Sequence, residues 1–125
     1  MATAYTVPAS LRIKRSAQSG IYTMTAAWQT VYANAQLYAW MFAAAEIDLT
    51  NMLAADDIEI RISKRNALGG AYIVKDQLLF EDVQPVETKK ITIGPVMDTF
   101  GVLIEMRQPV GGLITCYCEF FDAVR

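Results

Sequence analysis

Apolar and polar positions alternate with a period of two along most of this chain, and they do so most clearly between Glu46 and Ile62. There Ile58, Ile60 and Ile62 fall on one side and Glu59 and Arg61 on the other, as in a strand with one buried face. The preceding Asn51–Asp57 reads as a tight crossover, one helical turn capped by Thr50 or Asn51. Asn66-Ala67-Leu68-Gly69-Gly70 predicts a hairpin whose glycines supply positive φ, with a return strand over 71–80. Further strands are expected over 87–93, 100–108 and 113–121. Gly94-Pro95, a turn at 98–101 and Pro109-Val110-Gly111-Gly112 separate them.

The first half is less regular. Leu11 and Ile13 oppose Arg12 and Lys14, and Gln18-Ser19-Gly20 marks a turn. Tyr22, Met24, Ala26 and Trp28 then share a face. Residues 28–47 fit two templates. Trp28, Val31, Tyr32, Ala35, Tyr38 and Phe42 suit a helix, and the alanines favour one. Aromatic and β-branched content favours a strand, a turn at 33–36, and a long strand to Thr50. The strand reading is adopted because everything downstream is β. It puts Leu37, Ala39, Met41, Ala43, Ala45 and Ile47 on one face and Tyr38, Trp40 and Phe42 on the other. Short strands punctuated by turns specify an all-β fold, an antiparallel β-sandwich or jelly-roll-like domain over 20–125, with residues 1–19 as an N-terminal arm or edge strand.

Composition sharpens this in three respects. With 125 residues, 54% of them hydrophobic and 19% charged, the chain suits one domain with apolar surface to spare for a subunit interface. The longest uncharged run, 16–45, is too interrupted by polar residues for a membrane span, and no secretory leader is evident. The net charge of −2 is unevenly spread: only Arg12, Lys14 and Arg15 precede the first acid, Glu46. A basic arm suits a neighbouring subunit's acidic surface or nucleic acid. A solvated strand edge whose cations discourage aggregation explains it more simply, and no nucleic-acid partner is expected.

Candidate chemistry is sparse. There is no histidine, which removes Ser-His-Asp and Cys-His catalysis and the usual zinc or iron sites. Cys116 and Cys118 flank Tyr117 on one strand face, a poor disulfide geometry, and are expected reduced and buried. Asp56 with Asp57, Glu81 with Asp82, and Glu119 with Asp122 could in principle serve glycosidic chemistry, but acids in turns are more often solvated or capping. No enzyme activity, metal or cofactor is expected. Tyr38, Trp40 and Phe42, if exposed in a row, would stack on sugar rings or a partner protein. Burial as core or interface is the favoured reading, since such a row invites aggregation. A carbohydrate-binding sandwich is the alternative function.

The stretch Ile47-Asp48-Leu49-Thr50-Asn51-Met52-Leu53-Ala54-Ala55-Asp56-Asp57-Ile58-Glu59-Ile60-Arg61-Ile62, the Gly-Gly hairpin and the closing Cys116-Tyr117-Cys118-Glu119-Phe120-Phe121-Asp122 strand resemble small β-sandwich structural proteins of tailed phages and related viruses. The resemblance is one of pattern, over about residues 20–122, and carries no site residues. It implies a capsid decoration or minor head protein, made in the host cytoplasm and resident in the virion. The implied partners are further copies of itself, as a trimer or other closed ring, and a major capsid protein. Arg12, Lys14, Arg15, Tyr38, Trp40 and Phe42 are the candidate interaction residues.

Overall fold

A computed structural model describes residues 12–124. All regular structure within it is β: β1 (Arg12–Arg15), β2 (Gly20–Thr23), β3 (Gln29–Asp48), β4 (Asp57–Arg65), β5 (Tyr72–Glu81), β6 (Lys90–Ile93), β7 (Val96–Val110) and β8 (Thr115–Val124). Every pairing is antiparallel, in the order β1-β8-β3-β7-β4-β5, with β2 also on β8 and β6 also on β3. From Gln29 onward the segment 28–47 is therefore strand, as the aromatic content indicated. The arm's first eleven residues lie outside the described residues, whereas Arg12–Arg15 pairs with β8 as an edge strand.

The 20-residue β3 belongs to both halves of the fold. Its first half pairs with β7, and its second lies between β6 and β8. The isoleucines of β4, Val102, Ile104 and Met106 of β7, and Cys116, Cys118 and Phe120 of β8 are all buried in one core. The Cys118 Sγ sits 3.8 Å from the Met106 Sδ, bringing the inner faces of β8 and β7 together. Tyr32 packs on Phe42 and Phe120, with ring centroids 4.9 and 5.0 Å away. Such aromatic contacts add to the area each ring removes from water.

Several expected boundaries shift. No turn forms at 33–36. Instead β3 continues, and its irregularity comes later, where Gln36–Ala39 face Phe100 alone between the pairs Ala35↔Gly101 and Trp40↔Thr99. The turn expected at 98–101 is likewise strand, because Gly101 pairs with Ala35 on one side and Arg65 on the other. β2 ends at Thr23, so the row from Tyr22 to Trp28 is not one strand face. The crossover at 51–57 contains turns and no helix. Ile13, on the apolar side of its alternation, is exposed.

The aromatic row lies just before a change of register in β3. Relative to β8, the pairs Phe42↔Asp122 and Ala44↔Phe121 leave Ala43 as one extra residue, a β-bulge. An extra residue exchanges the two faces of a period-two strand. Val31 is also buried, at an earlier register shift against β7; from there to the bulge the core takes even positions, Tyr32 and Phe42, and beyond it odd ones, Ala45, Ile47 and Leu49. The aliphatic row thus faces the core from Ala45 onward, and the aromatic row supplies Phe42 before it. Gly94 lies against this bulge: a Cβ there would come within 2.7 Å of the Ala43 carbonyl oxygen and 3.1 Å of the Ala44 Cα. The Gly94-Pro95 break between β6 and β7 gives the bulge its room.

Candidate interaction surfaces

The aromatic trio has three different environments. Phe42 is fully buried, Trp40 is half-buried against the core, and Tyr38 is exposed beside Leu37 where β3 bows away from β7. They do not form a flat stacking platform. On the same strand face a polar line leads out of the core. The Tyr32 hydroxyl donates to Asp122, the Asn34 amide donates to the Tyr32 oxygen at 3.1 Å, and the Gln36 amide donates to Asn34 at 2.7 Å. Burial, with the Asp122 hydrogen bond second, holds the Tyr32 hydroxyl well above the ordinary tyrosine range.

The basic segment is partly neutralised. Arg15 donates to the Tyr117 hydroxyl at 2.8 Å and to Glu119 at 3.3 Å, whereas Lys14 is exposed. The backbone of Arg12 pairs with Val124. Arg12, Lys14 and Arg15 sit on the β8 edge, on a different strand from Tyr38, Trp40 and Phe42. The structure therefore does not gather the six candidates into one site.

The candidate acids have structural work. Asp56 is buried, accepts the Leu53 amide at 2.8 Å and, through its own carbonyl, accepts the Asp82 amide at 2.8 Å. Asp82 in turn accepts the Ala55 amide at 2.8 Å. These bonds hold Ala55 and Asp82 at φ of 68° and 64°, a conformation that L-residues otherwise avoid. Gly111, at φ 105°, lies close enough to Asp56 that a Cβ would overlap its carboxylate. Beside it, buried Gln108 donates to the Gly112 carbonyl at 2.8 Å and accepts the Ile114 amide at 2.9 Å, closing the β7–β8 hairpin from inside.

Both cysteines are free and buried, and burial pushes each thiol up to about 12. A thiol kept neutral is a weak nucleophile and a weak ligand. Among the described residues no group of three or more His, Cys, Asp or Glu is placed to hold a metal ion. Nor does any described helix have the length and apolarity to cross a membrane.

On the outer face of β4 and β7 the register sets Glu59 opposite Arg107 and Arg61 opposite Glu105. Arg107 bonds both Glu59 oxygens, at 3.1 and 3.2 Å, and Arg61 lies 2.9 Å from Glu105. Trp28 roofs both guanidiniums, at 4.3 and 4.5 Å from its ring. This closed cluster presents no unpaired charge for a ligand to capture.

β5 is the surface that sequence reasoning missed. It ends the sheet order, and Tyr72, Ile73, Val74 and Leu79 are all exposed along it. The signal was present in the runs Tyr72-Ile73-Val74 and Leu78-Leu79-Phe80, where alternation fails and both faces are apolar. An exposed apolar edge strand is a ready template for another chain.

The architecture is shared with a virus particle protein. A chain in the crystal structure of the infectious bursal disease virus VP2 subviral particle matches 88% of this chain with a TM-score of 0.55, at 5% sequence identity. The match spans only 31% of that longer chain. No family model and no curated protein matches the sequence. At this identity the likeness establishes a common antiparallel β-fold; the jelly-roll strand order is not established by it.

Proposed function

We propose that this chain is a non-enzymatic structural protein of a virion. The observation that carries the proposal is the fold held in common with a chain of a subviral particle, over 88% of this chain's length. Two features support it. The polar side chains that first suggested chemistry, Asp56, Asp82, Glu119 and Asp122, are engaged in hydrogen bonds within the fold. The exposed apolar residues, Leu37, Ile73, Val74, Leu79 and Val86 among them, suit protein contacts. Within that role the pattern resemblance to small β-sandwich virion proteins favours a capsid decoration or minor head component, of a tailed phage or related virus, that reinforces the shell by binding between copies of a major capsid protein. Symmetric self-association, as a trimer or another closed ring, would cover its edges.

The test is where the protein resides. Particles banded on a density gradient should carry this chain at a fixed copy number relative to the major shell protein, by quantitative mass spectrometry. Its recovery only in particle-free fractions would reject the reading.

A further inference from the structure

We infer that the C-terminal half of β5 is a two-fold interface, on which a second copy of this chain adds its own β5 in antiparallel fashion, centred on Leu79. The inference starts from how the edge is delimited. On one side, the register passes from Ile62↔Asp76 to Ser63↔Val74, so Lys75 is an extra, bulged residue. Bulges and lysines are the devices that end pairing along an edge. On the other side, Asp82 at φ 64° turns the chain off the sheet and is anchored there by Ala55. Between these limits lies Gln77-Leu78-Leu79-Phe80-Glu81, a five-residue cassette whose middle residue is Leu79.

Its edge groups face outward. The Asp82 amide donates to the Asp56 carbonyl at 2.8 Å, and the unbroken register from there turns the Gln77 amide away from β4, where it donates to the Asp76 side chain at 2.9 Å. Period two then points the amides of Leu79 and Glu81 the same way. In an antiparallel pair a two-fold axis normal to the sheet passes midway between one residue and its own copy. Centred on Leu79, that axis sets Leu79 against Leu79, Leu78 against Phe80, and Gln77 against Glu81. Each pairing is chemically matched: apolar with apolar on both faces, and the Gln77 amide, which gives one hydrogen to Glu59 at 3.0 Å and keeps a second, with a carboxylate. Shifting the centre to Asp76 would oppose two carboxylates directly, and centring on Lys75 would oppose two ammonium groups. Complementarity under its own two-fold is what marks a second copy as the occupant. The inference does not depend on a virion role, since the pair forms in solution from this chain alone.

Leu79 is more than half exposed at 55%, so substituting it leaves the core intact. Directly opposed residues in an antiparallel pair have Cα atoms about 4.5–5.5 Å apart, within disulfide reach. Leu79→Cys should therefore cross-link copy to copy under mild oxidation, at least ~10-fold faster than Val83→Cys, which lies outside the cassette. The native cysteines are buried and do not compete. In sedimentation velocity across a concentration series, wild type should dimerise or assemble further. Leu79→Lys, which opposes two cations, should weaken that step by ~10-fold or more while keeping its circular dichroism spectrum. A wild type that stays monomeric at all concentrations overturns the inference, as does assembly indifferent to Leu79→Lys. Equal cross-linking of the two cysteine variants overturns it too, and points to another occupant of the edge, such as a different protein's strand.

Discussion

The Trp28 ring lies 4.3 Å from the Arg61 guanidinium, and the same ring covers Arg107 at 4.5 Å. Beneath it, each arginine is paired with a glutamate across the β4–β7 ladder. The roof limits water's access to both ion pairs, which makes each stronger than an exposed pair. It also fastens the segment before β3 onto the outside of β4 and β7. Trp28→Ala should cost about 1–3 kcal/mol in urea unfolding, with Trp28→Phe retaining most of the stability. Full stability in Trp28→Ala would show the stacking to be incidental.

Gly94 faces the bulge on which the inward face of β3 changes parity. Because a Cβ at Gly94 meets backbone atoms of Ala43 and Ala44, no side-chain rotation can relieve the overlap. Gly94→Ala should destabilise by about 1–3 kcal/mol, through displacement of β6 from β3. Gly112→Ala is the matched control: its added methyl meets nothing within 4 Å, and it should change stability by less than about 0.5 kcal/mol. Thermal unfolding of the two variants separates them. Equal midpoints would mean that the bulge tolerates displacement.

That bulge also explains which parts of the fold were legible in the sequence. The β4 row Ile58, Ile60, Ile62 and the β7 row Val102, Ile104, Met106 are buried as their alternation required, because those strands pair without interruption over that span. In β3 the alternation is broken by Ala43, one alanine among several, and nothing local distinguishes it as the extra residue. The aromatic trio, for which burial was the favoured reading, is therefore buried at Phe42, half-buried at Trp40 and exposed at Tyr38. Asp56 could be recognised as a turn residue, but its burial depends on Gly111 and Asp82, which are remote in sequence. The edge position of β5 follows from strand order, which alternation does not encode.

Gln108 tests how far the β7–β8 hairpin relies on one buried side chain. Its amide supplies the acceptor for Ile114 and donors for the Val110 and Gly112 carbonyls, at 2.9, 3.3 and 2.8 Å. Gln108→Leu keeps the volume and strands these backbone groups, at a cost of about 2–4 kcal/mol. Amide exchange at Ile114 should accelerate more than the global loss of stability requires. Unchanged protection at Ile114 would assign the hairpin's order to Gly111 instead.

The buried thiols set a prediction at alkaline pH. Burial pushes Cys116 and Cys118 up to about 12, from an ordinary value near 9.0. Below about pH 9 folded and unfolded chains both keep these protons, so the thiols contribute no pH dependence there. Between about 9 and 12 the unfolded chain sheds them while the folded chain holds them. The folded state then binds more protons, and stability falls as pH rises, by up to about 1.4 kcal/mol per pH unit for each thiol. The Tyr32 hydroxyl, also raised, acts in the same direction from its ordinary value near 10.0 upward. In urea unfolding at pH 8 and pH 10.5, a Cys116→Ala, Cys118→Ala double variant should start less stable, from the lost packing, and decline less steeply than wild type. Parallel declines would show that both thiols ionise as readily in the folded protein as in the unfolded chain, which their complete burial against Met106 and the β3 face opposes.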